Sequence, residues 1–118
     1  MNSKEFRRHL HRNPELSFKE FDTQRFILDA LRAEGIECRA IATTGVIAKI
    51  EGNRGNLSRA VVLRADIDAL PVKELNDIDF KSEREGVMHA CGHDIHAAVL
   101  FGVLQQLNRE RNFEGTLF

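Results

Sequence analysis

Tryptophan and tyrosine are absent, so the aromatic surface comes entirely from eight phenylalanines. A stacking platform for bases is not expected from such a set. Cysteine is scarce, with only Cys38 and Cys91. Two thiols cannot build the disulfide framework of a small secreted domain, and a reducing cytoplasm is the expected location. An excess of charge is missing too: 17 Lys and Arg stand against 18 Asp and Glu, a formal net charge of -1. A chain that relies on phosphate attraction needs a basic surplus, so no nucleic-acid partner is expected. No apolar run approaches the roughly 18 residues of a membrane span. The first residues, Met1 to Arg8, lack the apolar core of a signal peptide. No membrane partner is expected. What is present is 118 residues, 42% hydrophobic and 30% charged. That suffices for one globular domain and is too apolar for disorder.

Phe6 and Leu10, four apart, predict a short helix over 4–12, which Asn13-Pro14 stops. Ser17-Phe18-Lys19-Glu20 has the form of a capping box, with Leu16 and Phe21 as a hydrophobic staple. A second helix is expected there, with Phe21, Leu28 and Leu31 as its apolar stripe and Gly35 just past its end. Residues 36–41 and 46–50 read as two strands that a hairpin would join through Thr43-Thr44-Gly45. Ala60-Val61-Val62-Leu63 is a continuous apolar run, as expected of a strand covered on both faces. Residues 73–86 are polar and predicted to be irregular. A last helix is predicted over 94–108, with Leu100, Val103, Leu104 and Leu107 on its apolar side. Thr116-Leu117-Phe118 reads as the start of a strand. The order predicts an α/β domain with helices on at least one sheet face. An apolar strand start at the last residues points to a piece of a longer chain, or to a strand that pairs with something else.

The densest chemistry lies in Met88-His89-Ala90-Cys91-Gly92-His93-Asp94-Ile95-His96. It holds three of the five histidines. Thiolate and imidazole are the donors that zinc and similar metals favour. Gly92 permits a backbone geometry that lets Cys91 and His93 converge on one point. Asp94 is placed to orient a ligating imidazole. Cys-x-His is not a structural-zinc spacing, so further ligands must come from distant segments. The plainer alternative makes His89 and His96 surface or cap residues and Cys91 a small buried hydrophobe. A second feature is Arg64-Ala65-Asp66-Ile67-Asp68, where a strand ends in two carboxylates that point the same way in an extended chain. Its alternative is a solvated loop with one Asp capping a turn. A third is the basic run Arg7-Arg8-His9-Leu10-His11-Arg12. It would either grip a carboxylate or form a solvated helix face. A small metal-binding or redox-sensing domain using Cys91 is consistent with the same residues. A cysteine hydrolase ranks last, because no base-orienting signature accompanies Cys91.

Arg-Arg-His-Leu-His-Arg-Asn-Pro-Glu-Leu-Ser at 7–17, Leu-Arg-Ala-Asp-Ile-Asp-Ala-Leu-Pro at 63–71 and Met-His-Ala-Cys-Gly-His-Asp-Ile-His at 88–96 stand in that order. Together they resemble the M20 metallopeptidase/amidohydrolase family. Within it they are most similar to the subfamily of hippurate hydrolases, N-acyl-amino-acid amidohydrolases and auxin-conjugate hydrolases. The resemblance implies a partial three-layer α/β domain, a mixed β-sheet flanked by helices. Residues 1–118 would be the N-terminal portion of the catalytic domain, without the lid or dimerisation domain. It implies a metal-dependent hydrolase of the amide bond of N-acyl amino acids or peptides. The family usually holds two divalent metals per site, Zn, Mn, Ni or Co. Carried onto this sequence, the metal ligands are Cys91 and His93, and Asp94 supports them from behind. Aligning the family proline on Pro71 makes Asp68 the catalytic support residue. Asp66 then occupies the position where related branches carry a metal-binding histidine. The family's general-base glutamate and its later ligands follow the strand that begins at Thr116. These 118 residues are therefore expected to be inactive alone. A homo-oligomer through the exposed sheet edge is expected, and the competing possibility is a non-catalytic remnant that self-associates.

Overall fold

A computed structural model describes residues 1–118. Helix α1 (Ser3–Arg12) opens with a reciprocal cap. The Glu5 N–H donates to Asn2 Oδ1 at 2.9 Å, and the Asn2 N–H donates to Glu5 Oε2 at 3.0 Å. Two backbone donors that the helix leaves free are thereby satisfied. Phe6 and Leu10 lie on its inner face, fully buried as their spacing predicts.

Helix α2 (Phe21–Ala33) starts differently from the sequence expectation. Ser17 does not cap it, and its N-cap residue, Glu20, makes no side-chain capping bond. The Glu15 carboxylate does that work instead, accepting from the Thr23 N–H at 2.6 Å, the Thr23 hydroxyl at 2.6 Å and the Asp22 N–H at 3.3 Å. The reason is a tight turn at 16–19, closed by the Lys19 N–H on Leu16 O at 2.9 Å. Phe18 takes a φ of 64° there and swings Ser17 away from the helix. The expected staple does not form either, since Leu16 is 36% and Phe21 50% exposed.

Strands β1 (Glu37–Ile41) and β2 (Gly45–Glu51) form the expected antiparallel hairpin, with Ile41 opposite Gly45. The connection is tight enough that a Cβ on Gly45 would stand 3.0 Å from Ile41 O. Strands β3 (Ala60–Val61) and β4 (Thr116–Leu117) complete a four-stranded sheet in the order β1-β2-β4-β3. β4 is antiparallel to β2 and parallel to β3, so the sheet is mixed as expected. Helix α3 (His93–Arg109) lies between β3 and β4 in sequence and packs against α1 and β2. No helix or named strand falls within 73–86.

The core gathers Phe6 and Leu10 of α1, Leu31 of α2, Ile50 of β2, Phe101 and Leu104 of α3 and Leu117 of β4. The Phe6 and Phe101 rings stack with centroids 4.3 Å apart, which fixes α1 against α3. A further expectation is overturned. The apolar run at 60–63 is not a strand covered on both faces. Only Ala60 and Val61 are in the strand, and Val61, Val62 and Leu63 are 60%, 71% and 40% exposed. β3 is an edge strand whose sole strand neighbour is β4, so its apolarity meets no covering layer within these residues.

Candidate metal centre

Gly92 adopts φ 85° at the N-cap of α3, a left-handed conformation that a Cβ disfavours. It sets Cys91 just outside the helix and His93 on its first residue. Both side chains meet the backbone carbonyl of Asp68. Cys91 Sγ lies 4.0 Å and His93 Nδ1 3.1 Å from that oxygen. His93 Nδ1 is also 2.7 Å from Asp68 Oδ1. Both neighbours of Nδ1 are acceptors, so this nitrogen carries the proton. In the neutral imidazole the lone pair is then on Nε2, the nitrogen on the Asp66 side, with Asp66 Oδ2 at 4.0 Å. The two aspartates thus approach one imidazole, as the alternation of an extended chain predicts for 66 and 68. Asp66 is also held by Arg64 at 2.6 Å.

Asp68 is engaged on its other oxygen as well. The Ser17 hydroxyl donates to Oδ2 at 2.5 Å. This hydrogen bond is the main cause that holds the Asp68 carboxyl below the usual carboxylate range. Burial works against it, and the His93 contact adds to it. Cys91 is exposed and forms no disulfide. Its thiol makes no hydrogen bond to His93, so the contact that a nucleophile and its base require is not formed.

Asp94 sits behind this cluster, 1% exposed. It makes no hydrogen bond to Cys91 or His93. Its Oδ2 accepts from Arg7 Nε at 2.9 Å and from His11 Nδ1 at 2.8 Å. The far side of the His11 ring, Nε2, is 2.9 Å from Glu74 Oε1. Glu74 also accepts from the Ser82 N–H at 2.6 Å and from Asn76 at 3.2 Å. Burial tends to raise the Glu74 pKa. The hydrogen bonds from His11, Ser82 and Asn76 outweigh it and hold the carboxyl below its ordinary value. His89 is buried nearby with neither ring nitrogen hydrogen-bonded. Burial lowers its pKa, opposed by the negative charge of Asp94. His96 is exposed, its ring 5.9 Å from that of His93.

Sequence reasoning gave Ser17 only a capping role and gave Glu74 none, and it named Arg7 and His11 only as part of the basic run. For Arg7 and His11 a signal existed. They are four apart and share a helix face, whereas His9 and His11 do not. The basic run does grip a carboxylate, and that carboxylate is the chain's own Asp94. Nothing in the local sequence links Ser17 to Asp68 or His11 to Glu74.

The donor chemistry fits a borderline divalent cation: an imidazole with one nitrogen tied to a carboxylate and the other free, beside an exposed thiol. Nowhere in the chain do three His, Cys, Asp or Glu side chains converge closely enough to hold a metal by themselves. These residues form a partial donor set.

Residues 62–117 match Peptidase family M20/M25/M40. Over 100 residues the chain is 50% identical to thermostable carboxypeptidase 2 of Saccharolobus solfataricus, covering 83% of this chain and 25% of that protein. It is 47% identical over 105 residues to N-acetyldiaminopimelate deacetylase of Exiguobacterium sibiricum, covering 87% of this chain and 28% of that one. The chain thus spans about a quarter of the length of the curated relatives it matches. Its backbone superposes on the YXEP protein of Bacillus subtilis, described as a dinuclear metal-binding peptidase of the M20 family. The TM-score is 0.92 at 42% identity, over 98% of this chain and 33% of that one. With three ordered motifs, this level of identity and a shared backbone, the chain belongs to peptidase family M20/M25/M40.

Proposed function

We propose that Cys91 and His93 hold a divalent metal in the active centre of a hydrolase that cleaves the amide bond of N-acyl amino acids. The observation that carries this reading is the His93 ring, fixed through Nδ1 by Asp68 with Nε2 free near Asp66. Relatives named as a deacetylase of an N-acetyl amino acid and as a carboxypeptidase support the amide-bond chemistry. Asp68 acts by orienting His93, and Asp66 contributes negative charge beside the metal. Asp94 anchors the first turn of α3 to α1, and so sets where His93 stands. A bound cation supplies Lewis acidity to the amide carbonyl. Zinc, manganese, nickel and cobalt all accept this donor set, and two ions per site are in keeping with the dinuclear YXEP protein.

Of the ligands proposed for such a centre these 118 residues supply Cys91 and His93 alone, so this chain by itself binds metal weakly and does not turn over substrate. Metal content of the purified chain with and without Cys91→Ser tests the ligand assignment: retention should fall in the variant, and unchanged retention would refute it. Hydrolysis of N-acetyl or N-benzoyl amino acids by the 118-residue chain would refute the proposed inactivity. The free thiols at Cys38 and Cys91 suit a reducing cytoplasm. No helix is long and apolar enough to cross a membrane. The exposed apolar residues of the β3 edge support self-association of the chain through that edge.

A further inference from the structure

We propose that Ser17 is a positioning residue for His93, acting through Asp68. The inference rests on the metal-centre reading above. Asp68 is held by two different residues, one on each carboxylate oxygen. The Ser17 hydroxyl donates to Oδ2 at 2.5 Å, and His93 Nδ1 donates to Oδ1 at 2.7 Å. An Asp carboxylate has a broad, two-fold torsion about its last bond. A single partner leaves that plane free to turn, whereas two opposed partners fix it. With the plane fixed, Oδ1 stays aimed at Nδ1, and Nε2 keeps both its lone pair and its direction.

Ser17 is itself placed by the backbone. The Ala69 N–H donates to Glu15 O at 2.7 Å, and Leu16 and Ala69 form a parallel bridge. This strap runs beside Asp68 and Ala69. It is anchored at one end by Pro14, which is fully buried, and at the other by the turn that closes on Leu16 O. The Glu15 side chain fastens the strap to the first turn of α2. The hydroxyl therefore arrives at Oδ2 from a segment held at several points. Ser17 is exposed and caps no helix, so its hydroxyl has no competing structural duty.

The test compares Ser17→Ala, Ser17→Thr and Cys91→Ser in the 118-residue chain. The first readout is the tautomer of His93 in metal-free protein, from long-range proton–nitrogen NMR correlations. Wild type and Ser17→Thr should show the proton on Nδ1 alone, and Ser17→Ala should show a mixture of tautomers. The second is Co(II) affinity by titration. Ser17→Ala should weaken it about 10-fold, with Thr restoring it, while the melting temperature moves by less than about 3 °C. A Ser17→Ala protein with wild-type tautomer and wild-type Co(II) affinity overturns the proposal. So does a loss that tracks a fall in melting temperature and is not rescued by Thr. If Cys91→Ser binds Co(II) as wild type does, the metal-centre reading fails. The tautomer measurement still decides whether Ser17 positions His93.

Discussion

Both nitrogens of the His11 ring face carboxylates, Asp94 at 2.8 Å and Glu74 at 2.9 Å, and all three side chains are buried. The ring is the one group that bridges both carboxylates. Removing it leaves two buried carboxylates short of a partner. Asp94 already has one oxygen, Oδ1, without a hydrogen bond. His11→Ala should therefore lower the unfolding free energy by about 3 kcal/mol, the cost of breaking a buried charged network from one side. Urea unfolding of the two proteins measures it, and a difference below about 1 kcal/mol would show that Arg7 alone satisfies Asp94. None of this was legible around His11 itself. Its partners lie 83 and 63 positions away in the chain, and no local pattern announces a contact at that range. Cys91, Gly92 and His93 stand out as candidates in the sequence because their chemistry is packed into three consecutive residues.

Elements whose signals are periodic were read correctly. Helix α1, helix α3 and the β1–β2 hairpin fall where spacing and turn residues place them. The start of α2 was misread because two carboxylates, Glu15 and Glu20, flank Ser17, and the capping rule assigns the work to Ser17 and Glu20. The chain uses Glu15. Glu15→Ala should cost about 1 kcal/mol, typical of a lost cap, while Ser17→Ala should leave α2 unaffected. Amide hydrogen exchange across 21–24 separates the two. A second effect joins α1 to α2. His9 stacks on Phe26 with ring centroids 3.7 Å apart. Burial lowers its pKa, and the positive charge of Arg12 adds to the shift. The unfolded chain therefore takes up the proton more readily. This contribution to stability is complete above the ordinary value of 6.5 and is lost as pH falls below it, until the folded ring also titrates. The melting temperature should decline between about pH 7.5 and about pH 5.5, and less steeply in His9→Phe. Equal slopes would assign the decline to other groups.

Over the whole molecule, apolarity in the sequence specified what the run 60–63 needs and not whether these residues supply it. Val61 and Val62 on the β3 edge, and Ile95 and Val99 on α3, are 60%, 71%, 47% and 60% exposed. The curated relatives are several-fold longer, since the chain spans 25% and 28% of two of them. An edge strand with free backbone groups and uncovered valines pairs readily with another chain. Each valine buried against a partner removes apolar surface worth about 1.5 kcal/mol or more. A few such residues per copy would drive association at moderate protein concentration. The 118-residue chain should therefore sediment as a dimer or larger species. Charge at the exposed positions, Val62→Lys with Val99→Glu, should shift it toward the monomer while leaving the Phe6–Phe101 core intact by circular dichroism. Both positions face solvent, so the substitutions add a desolvation cost only when a partner covers them. A wild-type chain that remains monomeric at about 100 μM, a concentration at which even a micromolar interface is filled, would remove the support for association through this edge.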